Sequence, residues 1–290
     1  MSYNSTSAIP FPRELYDLVT SNLRDDLSPL RNLSLVDRAS ADSCQVHLFR
    51  QVTLRSRRLQ RPLPPTATPC SRLYQTLRSS PHLSARVKEL CIDDRVPDAG
   101  PRTTAPHLSQ FEYSVRKDKN LPRLLEALNH LTSLKLIFNY HQNWQNLPPS
   151  LRYSIQTTLS SANLVDLTIK SLQDFPLSTF RRCSGLNRLC LLNVILHPDI
   201  DEADIQERRS LESLAIILED PQDLFEPTSP FDLSHLQEAN IALSGASYDD
   251  FPFMASMLER TAHTLVFLGL HICACITDPA QLMTITTPKM

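Results

Sequence analysis

The chain has 290 residues, of which 41% are hydrophobic and 21% are charged, and its net charge is -2. It is long enough to bury a substantial core, and its composition differs from that of disordered proteins. A nearly neutral chain has no general attraction for nucleic acid or for an anionic membrane, so we expect neither as a partner.

The first residues, MSYNSTSAIPFPRE, contain neither the basic nor the apolar segment of a secretory signal. The seven cysteines are an odd number in a long chain, which is typical of free thiols in a reducing compartment. We therefore expect a cytoplasmic or nuclear protein, with a disordered tail over residues 1–9.

Residues 10–54 are predicted to form a short helical head. Pro12 suits a helix start, the Ser28-Pro29 pair suits a second start, and a third helix is expected before Phe49. Val52-Thr53-Leu54 is compatible with a short strand. The apolar residues at helical spacing in the first two helices are Leu15, Leu18, Val19, Leu23, Leu30, Leu33 and Val36.

Residues 55–72 combine arginines with prolines and have no apolar periodicity, which predicts a basic linker. The arginines could also serve as a nuclear import signal or an RNA contact, although a solvated linker is the more common role of such a run. A helix is expected from about Ser71 to Ser80.

An internal repeat follows over residues 73–290. Apolar residues recur at positions one, four and six of about seven repeats, and the first positions lie between 22 and 44 residues apart. The widest gap contains the polar, proline-bearing segment 93–120, which predicts a loop excursion. The triplets are Val87-Leu90-Ile92, Leu131-Leu134-Leu136, Leu164-Leu167-Ile169, Leu186-Leu189-Leu191, Leu211-Leu214-Ile216, Leu236-Ala239-Ile241 and Leu265-Leu268-Leu270.

Segments with helical spacing lie between the triplets, so each repeat is predicted to contain one strand and one helix. Strand alternation directs the fourth and sixth residues into the core and the third and fifth away from it. The expected fold is α/β: an all-helical head followed by a leucine-rich-repeat solenoid with a curved parallel sheet inside and helices outside.

The head resembles an F-box, as found in F-box and leucine-rich-repeat proteins of mushroom-forming fungi. Phe11-Pro12 stands at the Leu-Pro start of that family, Glu14-Leu15 follows at the family spacing, and Asp37 stands where the family often has Cys. The other matching residues are Leu30, Leu33, Leu35-Val36, Leu48-Phe49-Arg50 and Val52-Thr53-Leu54.

This resemblance implies a substrate-receptor subunit of a Skp-cullin-F-box type ubiquitin ligase. The head would bind a Skp-type adaptor, and through it a cullin ligase, while the repeats would hold a protein substrate. The alternative is a leucine-rich-repeat scaffold without a ligase link, in which the head is only an N-terminal cap. The expected adaptor-binding residues are Phe11, Pro12, Leu15, Leu18, Leu30, Leu33 and Val36.

Signals for catalysis are weak. The chain has four glycines, and none forms a Gly-x-Gly or P-loop pattern; nor is there a Gly-x-Ser-x-Gly elbow or a His-Glu-x-x-His helix. His271, Cys273 and Cys275 could share one strand face, but a fourth metal ligand is missing. We therefore expect a non-enzymatic protein without a metal or cofactor.

The third and fifth strand residues are expected to form the concave, substrate-binding face. They mix acidic, basic and small polar side chains, which suits a protein partner better than a phosphate backbone. The residues we assign to substrate binding are Glu89, Lys135, Asp166, Thr168, Arg188, Cys190, Ser213 and Glu238.

Overall fold

The structure, a computed structural model, describes residues 12–24, 26–59, 63–95, 111–199, 208–218, 224, 229–244, 251–273 and 285–286. In these residues the chain is mixed α/β, with a nine-stranded, mostly parallel sheet and a set of helices. None of the described helices is long and apolar enough to cross a bilayer.

The described α-helices are α1 (Arg13–Asn22), α2 (Leu27–Leu33), α3 (Arg38–Leu48), α4 (Pro69–Ser79), α5 (Leu121–Ala127), α6 (Pro149–Leu159), α7 (Ser178–Arg181) and α8 (Phe251–Thr261). The strands are β1 (Gln51–Arg55), β2 (Arg57–Leu59), β3 (Glu89–Asp93), β4 (Phe111–Tyr113), β5 (Ser133–Asn143), β6 (Asp166–Gln173), β7 (Phe175–Pro176), β8 (Arg188–Leu192), β9 (Leu196–His197), β10 (Arg209–Ser210), β11 (Ser213–Leu218), β12 (Phe231–Asp232), β13 (Glu238–Ser244), β14 (Phe267–Cys273) and β15 (Ile285–Thr286).

The main sheet has the strand order β1-β3-β5-β6-β8-β11-β13-β14-β15, and only the β14–β15 pair is antiparallel. Its parallel register brings equal repeat positions side by side, for example Leu90, Leu134 and Leu167. The short strand expected at Val52-Thr53-Leu54 is present within β1, which pairs with β3 at the end of the main sheet.

The predicted burial of positions four and six is confirmed in the strands from β3 to β13. In β14 the equivalent residues, Leu268 and Leu270, are only half-buried. Among the described residues, only the two-residue strand β15 lies beyond β14, so the last parallel strand has less neighbouring structure to cover it.

Helices α4, α5 and α6 contribute leucines and an isoleucine to the same core as the strands. In the connection between β6 and β8 the helix predicted for each repeat is reduced to a single turn. That connection contains the two-residue strand β7 and the one-turn helix α7. Pro176 and the short spacing between these two repeats leave little room for a longer helix.

A row of aromatic rings runs through successive units of the core. Trp144 packs edge-on against Phe175 with ring centroids 5.0 Å apart, and Phe175 lies 5.2 Å from Phe180. Phe231 continues the row at 5.2 Å from Phe180. These rings bury large apolar surfaces and add contacts between successive units to those of the strands and helices.

Parts of the predicted linker and of the predicted loop excursion form packed structure. The strand β2, inside residues 55–72, pairs antiparallel with β4, inside residues 93–120. The buried carboxylate of Asp94 accepts hydrogen bonds from the Ser56 and Ser114 hydroxyls and lies 3.0 Å from Nε of Arg116. This polar cluster anchors the pair to the sheet, and strands this short carry too little apolar pattern to be predicted.

Candidate interaction surfaces

The helical head exposes most of its large apolar side chains. Seven of the eleven large hydrophobic residues that are exposed in the described chain lie in the head. On α1 the exposed fractions are 45% for Leu15, 59% for Leu18 and 47% for Val19, and this i, i+3, i+4 spacing places the three side chains on one helix face. The other four are Leu27, Leu35, Val36 and Val46.

The interior of the head is small and partly polar. Leu30, Cys44, Thr20 and Ser40 have no exposed surface, and Ser43 is also buried. The Ser43 hydroxyl donates a hydrogen bond of 2.8 Å to Oδ1 of Asp17, which joins α3 to α1. A core of one leucine, one cysteine and three hydroxyl side chains buries little apolar surface.

The expected adaptor-binding residues divide into three groups. Pro12, Leu15, Leu18 and Val36 are exposed, and Leu33 is half-buried. Leu30 has no exposed surface and cannot contact a partner while the head is folded, so we remove it from the expected docking set. Phe11 lies outside the described residues.

Asp37 organises the start of α3. Its Oδ1 accepts the backbone N–H of Ser40 at 2.7 Å, and its Oδ2 accepts the Tyr16 hydroxyl at 3.0 Å. The Ser40 hydrogen bond, followed by that of Tyr16, holds the pKa of the Asp37 carboxyl below its usual value. Where the resembling family often has Cys, this chain therefore has a helix cap that also links α1 to α3.

The head is attached to the sheet through α3. Nη1 of Arg86 donates to the carbonyl oxygen of Asp42 at 2.8 Å and to Oε1 of Gln45 at 3.1 Å. Phe49 packs against the core of the sheet. The face of α3 that meets Arg86 is therefore covered by other residues of the same chain.

The second surface is the open face of the sheet, which we define as positions three, five and seven of the main-sheet repeats. The register aligns all the predicted substrate-binding residues on this face, and each of them is half-buried or exposed. Position three contributes Glu89, Asp166, Arg188, Ser213 and Glu238, and position five contributes Lys135, Thr168 and Cys190.

Three open-face carboxylates form ion pairs with arginines. Asp166 lies 3.6 Å from Nη2 of Arg188, and Glu89 lies 3.5 Å from Nε of Arg50. The Asp93 carboxylate accepts a hydrogen bond from Nε of Arg95 at 2.8 Å. This hydrogen bond keeps the pKa of the Asp93 carboxyl below its usual value. The acidic charge over β3 and β6 is therefore already compensated.

Lys135 and Lys170 lie on neighbouring strands of the same face and form no ion pair with a described carboxylate. The nearby Cys190 thiol has a raised pKa because it is desolvated and near Asp166, although the two lysines act in the opposite direction. A thiol of this kind stays protonated at neutral pH and is a poor nucleophile.

Position seven adds an aliphatic strip that the sequence analysis missed. Ile137, Leu192 and Ile217 are half-buried on the open face, and Ala242 is the buried equivalent on β13. Lys170 interrupts the strip on β6, between Ile137 and Leu192. The strands extend past position six, and continuing the alternation by one more step would have identified these residues. The open face is therefore part charged and part aliphatic.

Two shallow grooves lie at the margins of these surfaces. One has a volume of about 480 Å³ and lies between the head and the first strands, lined among others by Leu27, His47 and Thr53. The other, of about 640 Å³, runs along the turns before β11, β13 and β14 and is lined by Glu212, Gln237 and neighbours. No cluster of three metal-binding side chains occurs within the described ranges.

No family model, no curated protein and no solved structure matches this chain. Its function is therefore inferred from the two surfaces, the exposed apolar head and the open face of the sheet.

Proposed function

We propose that the chain is a non-enzymatic substrate-receptor subunit of a Skp-cullin-F-box type ubiquitin ligase, in which the head binds a Skp-type adaptor and a leucine-rich-repeat solenoid binds a protein substrate. The observation that carries the proposal is the exposure of apolar side chains on α1 and in the turn between α2 and α3. Exposed apolar residues concentrated in one small unit are typical of a binding surface.

The composition of the head supports the same proposal. About 40 residues with one fully buried leucine would be marginally stable alone, and a partner that covers Leu15, Leu18 and Val36 would add the missing apolar burial. The F-box resemblance supplies the class of partner, since the helical trio of that family docks on a Skp-type adaptor.

A scaffold whose head is only an N-terminal cap is the second candidate. The hydrogen bonds from Arg86 to α3 favour it, because they attach the head to the end of the sheet where a cap is needed. A role as a cap alone does not account for the exposed apolar face of α1. The two roles can coexist, since α3 faces the sheet while the Leu15, Leu18 and Val19 side chains remain exposed.

Co-purification of the full chain with a Skp-type adaptor tests the proposal. We expect the double variant Leu18→Asp, Val36→Asp to lose adaptor binding, because charges placed on two interface anchors remove apolar contacts and must be desolvated. These side chains are 59% and 69% exposed, so the variant should fold, which a thermal melt can verify.

The matched control is Tyr153→Asp, Val266→Asp, at side chains that are 67% and 68% exposed outside the head. It should bind the adaptor as the original chain does. Equal binding by the head variant, or no binding by the original chain, would reject the ligase role and leave the scaffold.

A further inference from the structure

The open face is not uniform in charge. Over β3 and β6 the carboxylates of Glu89, Asp93 and Asp166 are neutralised by arginines. Lys135 and Lys170 remain without a described counter-charge, on the adjacent strands β5 and β6. The centre of the face therefore has an excess of positive charge.

An apolar area lies directly beside Lys170. On β8 and β11 it is bordered by Leu192 and Ile217, which stand next to each other in the register. Ala242 stands next to Ile217 on β13, and its small side chain is only 5% exposed. Leu192 also pairs with Lys170 across β6 and β8, so the charged and apolar areas are continuous.

We propose that this part of the open face binds an extended peptide segment of a partner protein, with a carboxylate side chain against Lys135 and Lys170 and an apolar side chain against Leu192 and Ile217. This inference rests on the proposed function in one respect only, which is that the bound segment is taken to be part of the substrate. Charge complementarity selects the acidic residue, and the aliphatic strip selects its apolar neighbour.

The sheet geometry sets the spacing within the peptide. Neighbouring strands lie about 4.8 Å apart, so the distance across the sheet from β6 to β11 is about 10 Å. An extended peptide that crosses these strands covers about 3.3 Å of that distance per residue. Side chains of an extended chain return to the same face every second residue. The apolar residue should therefore stand two or four positions from the acidic one.

Single-stranded nucleic acid fits this face less well. Its binding sites combine basic side chains with aromatic rings on which bases stack. Here the area beside the lysines is aliphatic, and Arg188 is engaged with Asp166.

Selection from a phage-displayed library of random peptides on the immobilised full chain tests the proposal. We expect enrichment of peptides with Asp or Glu two or four residues from Leu, Ile, Val or Phe. A fluorescent peptide made from the enriched sequence should bind the Lys135→Gln, Lys170→Gln variant about two- to thirty-fold more weakly, since exposed ion pairs contribute about 0.2 to 1 kcal/mol each. Binding should also weaken as salt is raised.

A second variant, Leu192→Ala, examines the apolar contact and should weaken binding of the same peptide. The matched controls are Lys117→Gln, Lys119→Gln, which removes two exposed lysines away from the open face, and Ile195→Ala, at a side chain that is 39% exposed beside β9. Both controls should bind the peptide unchanged.

Absence of enrichment, enrichment of basic peptides, or equal binding by the two open-face variants would overturn the inference, as would RNA oligonucleotide binding to this face without peptide enrichment. Adaptor co-purification on the same proteins separates the two proposals. A chain that binds the adaptor but no peptide would refute only the proposal for the open face. A chain that selects peptides but binds no adaptor would refute only the ligase role.

Discussion

The head and the sheet use the same apolar residue types in opposite ways. In the sheet, leucines and isoleucines at repeat positions four and six are buried from β3 to β13. In the head, Leu15, Leu18 and Val19 have a regular helical spacing and remain exposed, while the interior is lined by hydroxyl groups. Amphipathic spacing therefore predicts that an apolar face exists, but the face can meet either the chain's own core or another molecule.

The difference follows from the amount of neighbouring structure. Each main-sheet strand from β3 to β13 is flanked on both sides by other strands, so its inward side chains are enclosed by residues of the same chain. The head has three short helices, and α3 is held by Arg86 and Phe49 on one side only. Among the described residues, no further helix or strand covers the remaining faces of the head.

The largest expected effect comes from comparing a leucine-to-alanine substitution in the sheet with one in the head. Leu167→Ala removes a side chain without exposed surface from β6, near the centre of the sheet, and should lower the free energy of unfolding by about 2 to 5 kcal/mol. Leu18→Ala, at a side chain that is 59% exposed on α1, should change it by less than about 0.5 kcal/mol. Urea denaturation followed by circular dichroism measures both.

Similar losses for the two variants would contradict the contrast, because Leu18 would then have to be packed within the chain. Small losses for both would instead contradict the repeat register that places Leu167 in the core.

The sheet was largely predictable because its signal is repeated. The spacing of triplets such as Leu134-Leu136 identified the strand register, and the pairing of Leu134 with Leu167 agrees with it. Non-repeated features were not predictable. The cluster around Asp94 depends on Ser56 and Ser114, which lie far apart in the sequence and carry no periodic signal.

The surfaces were predictable to different degrees. Alternation alone placed Lys135 and Cys190 on the open face. It could not show that Asp166 is paired with Arg188 while Lys135 is not, since ion pairing depends on side-chain geometry. In the head, helical spacing identified Leu18 and Leu30 as apolar positions, but only the packing of three helices shows that Leu30 faces inward and Leu18 outward.

An intermediate effect is expected at the polar anchor of β2 and β4, a third region that is held to the sheet by a charge. Asp94→Asn keeps the size of the side chain but removes the countercharge of Arg116, which lies 3.0 Å away. The loss of a buried charged hydrogen-bond acceptor should cost about 1.5 to 3 kcal/mol. Hydrogen exchange should show increased opening of β4 while β6 stays protected. Uniform exchange throughout the sheet would show that the pair is not a separately anchored unit.

The smallest expected effect concerns the pH response of the head. The Ser40 N–H, and after it the Tyr16 hydroxyl, lower the pKa of the Asp37 carboxyl in the folded chain below the 3.8 of an unperturbed Asp. The charged carboxylate therefore stabilises the folded head above the unfolded pKa, and this contribution is lost as the pH falls through the folded pKa. An NMR titration of the Asp37 carboxyl should give a midpoint below 3.8. Tyr16→Phe removes the hydroxyl donor on α1 and should raise the midpoint part of the way back, because the Ser40 cap remains. A normal midpoint in the original chain, or no change in the Tyr16 variant, would mean that α1 and α3 are not joined through Asp37, and that the head is still less connected internally than the sheet.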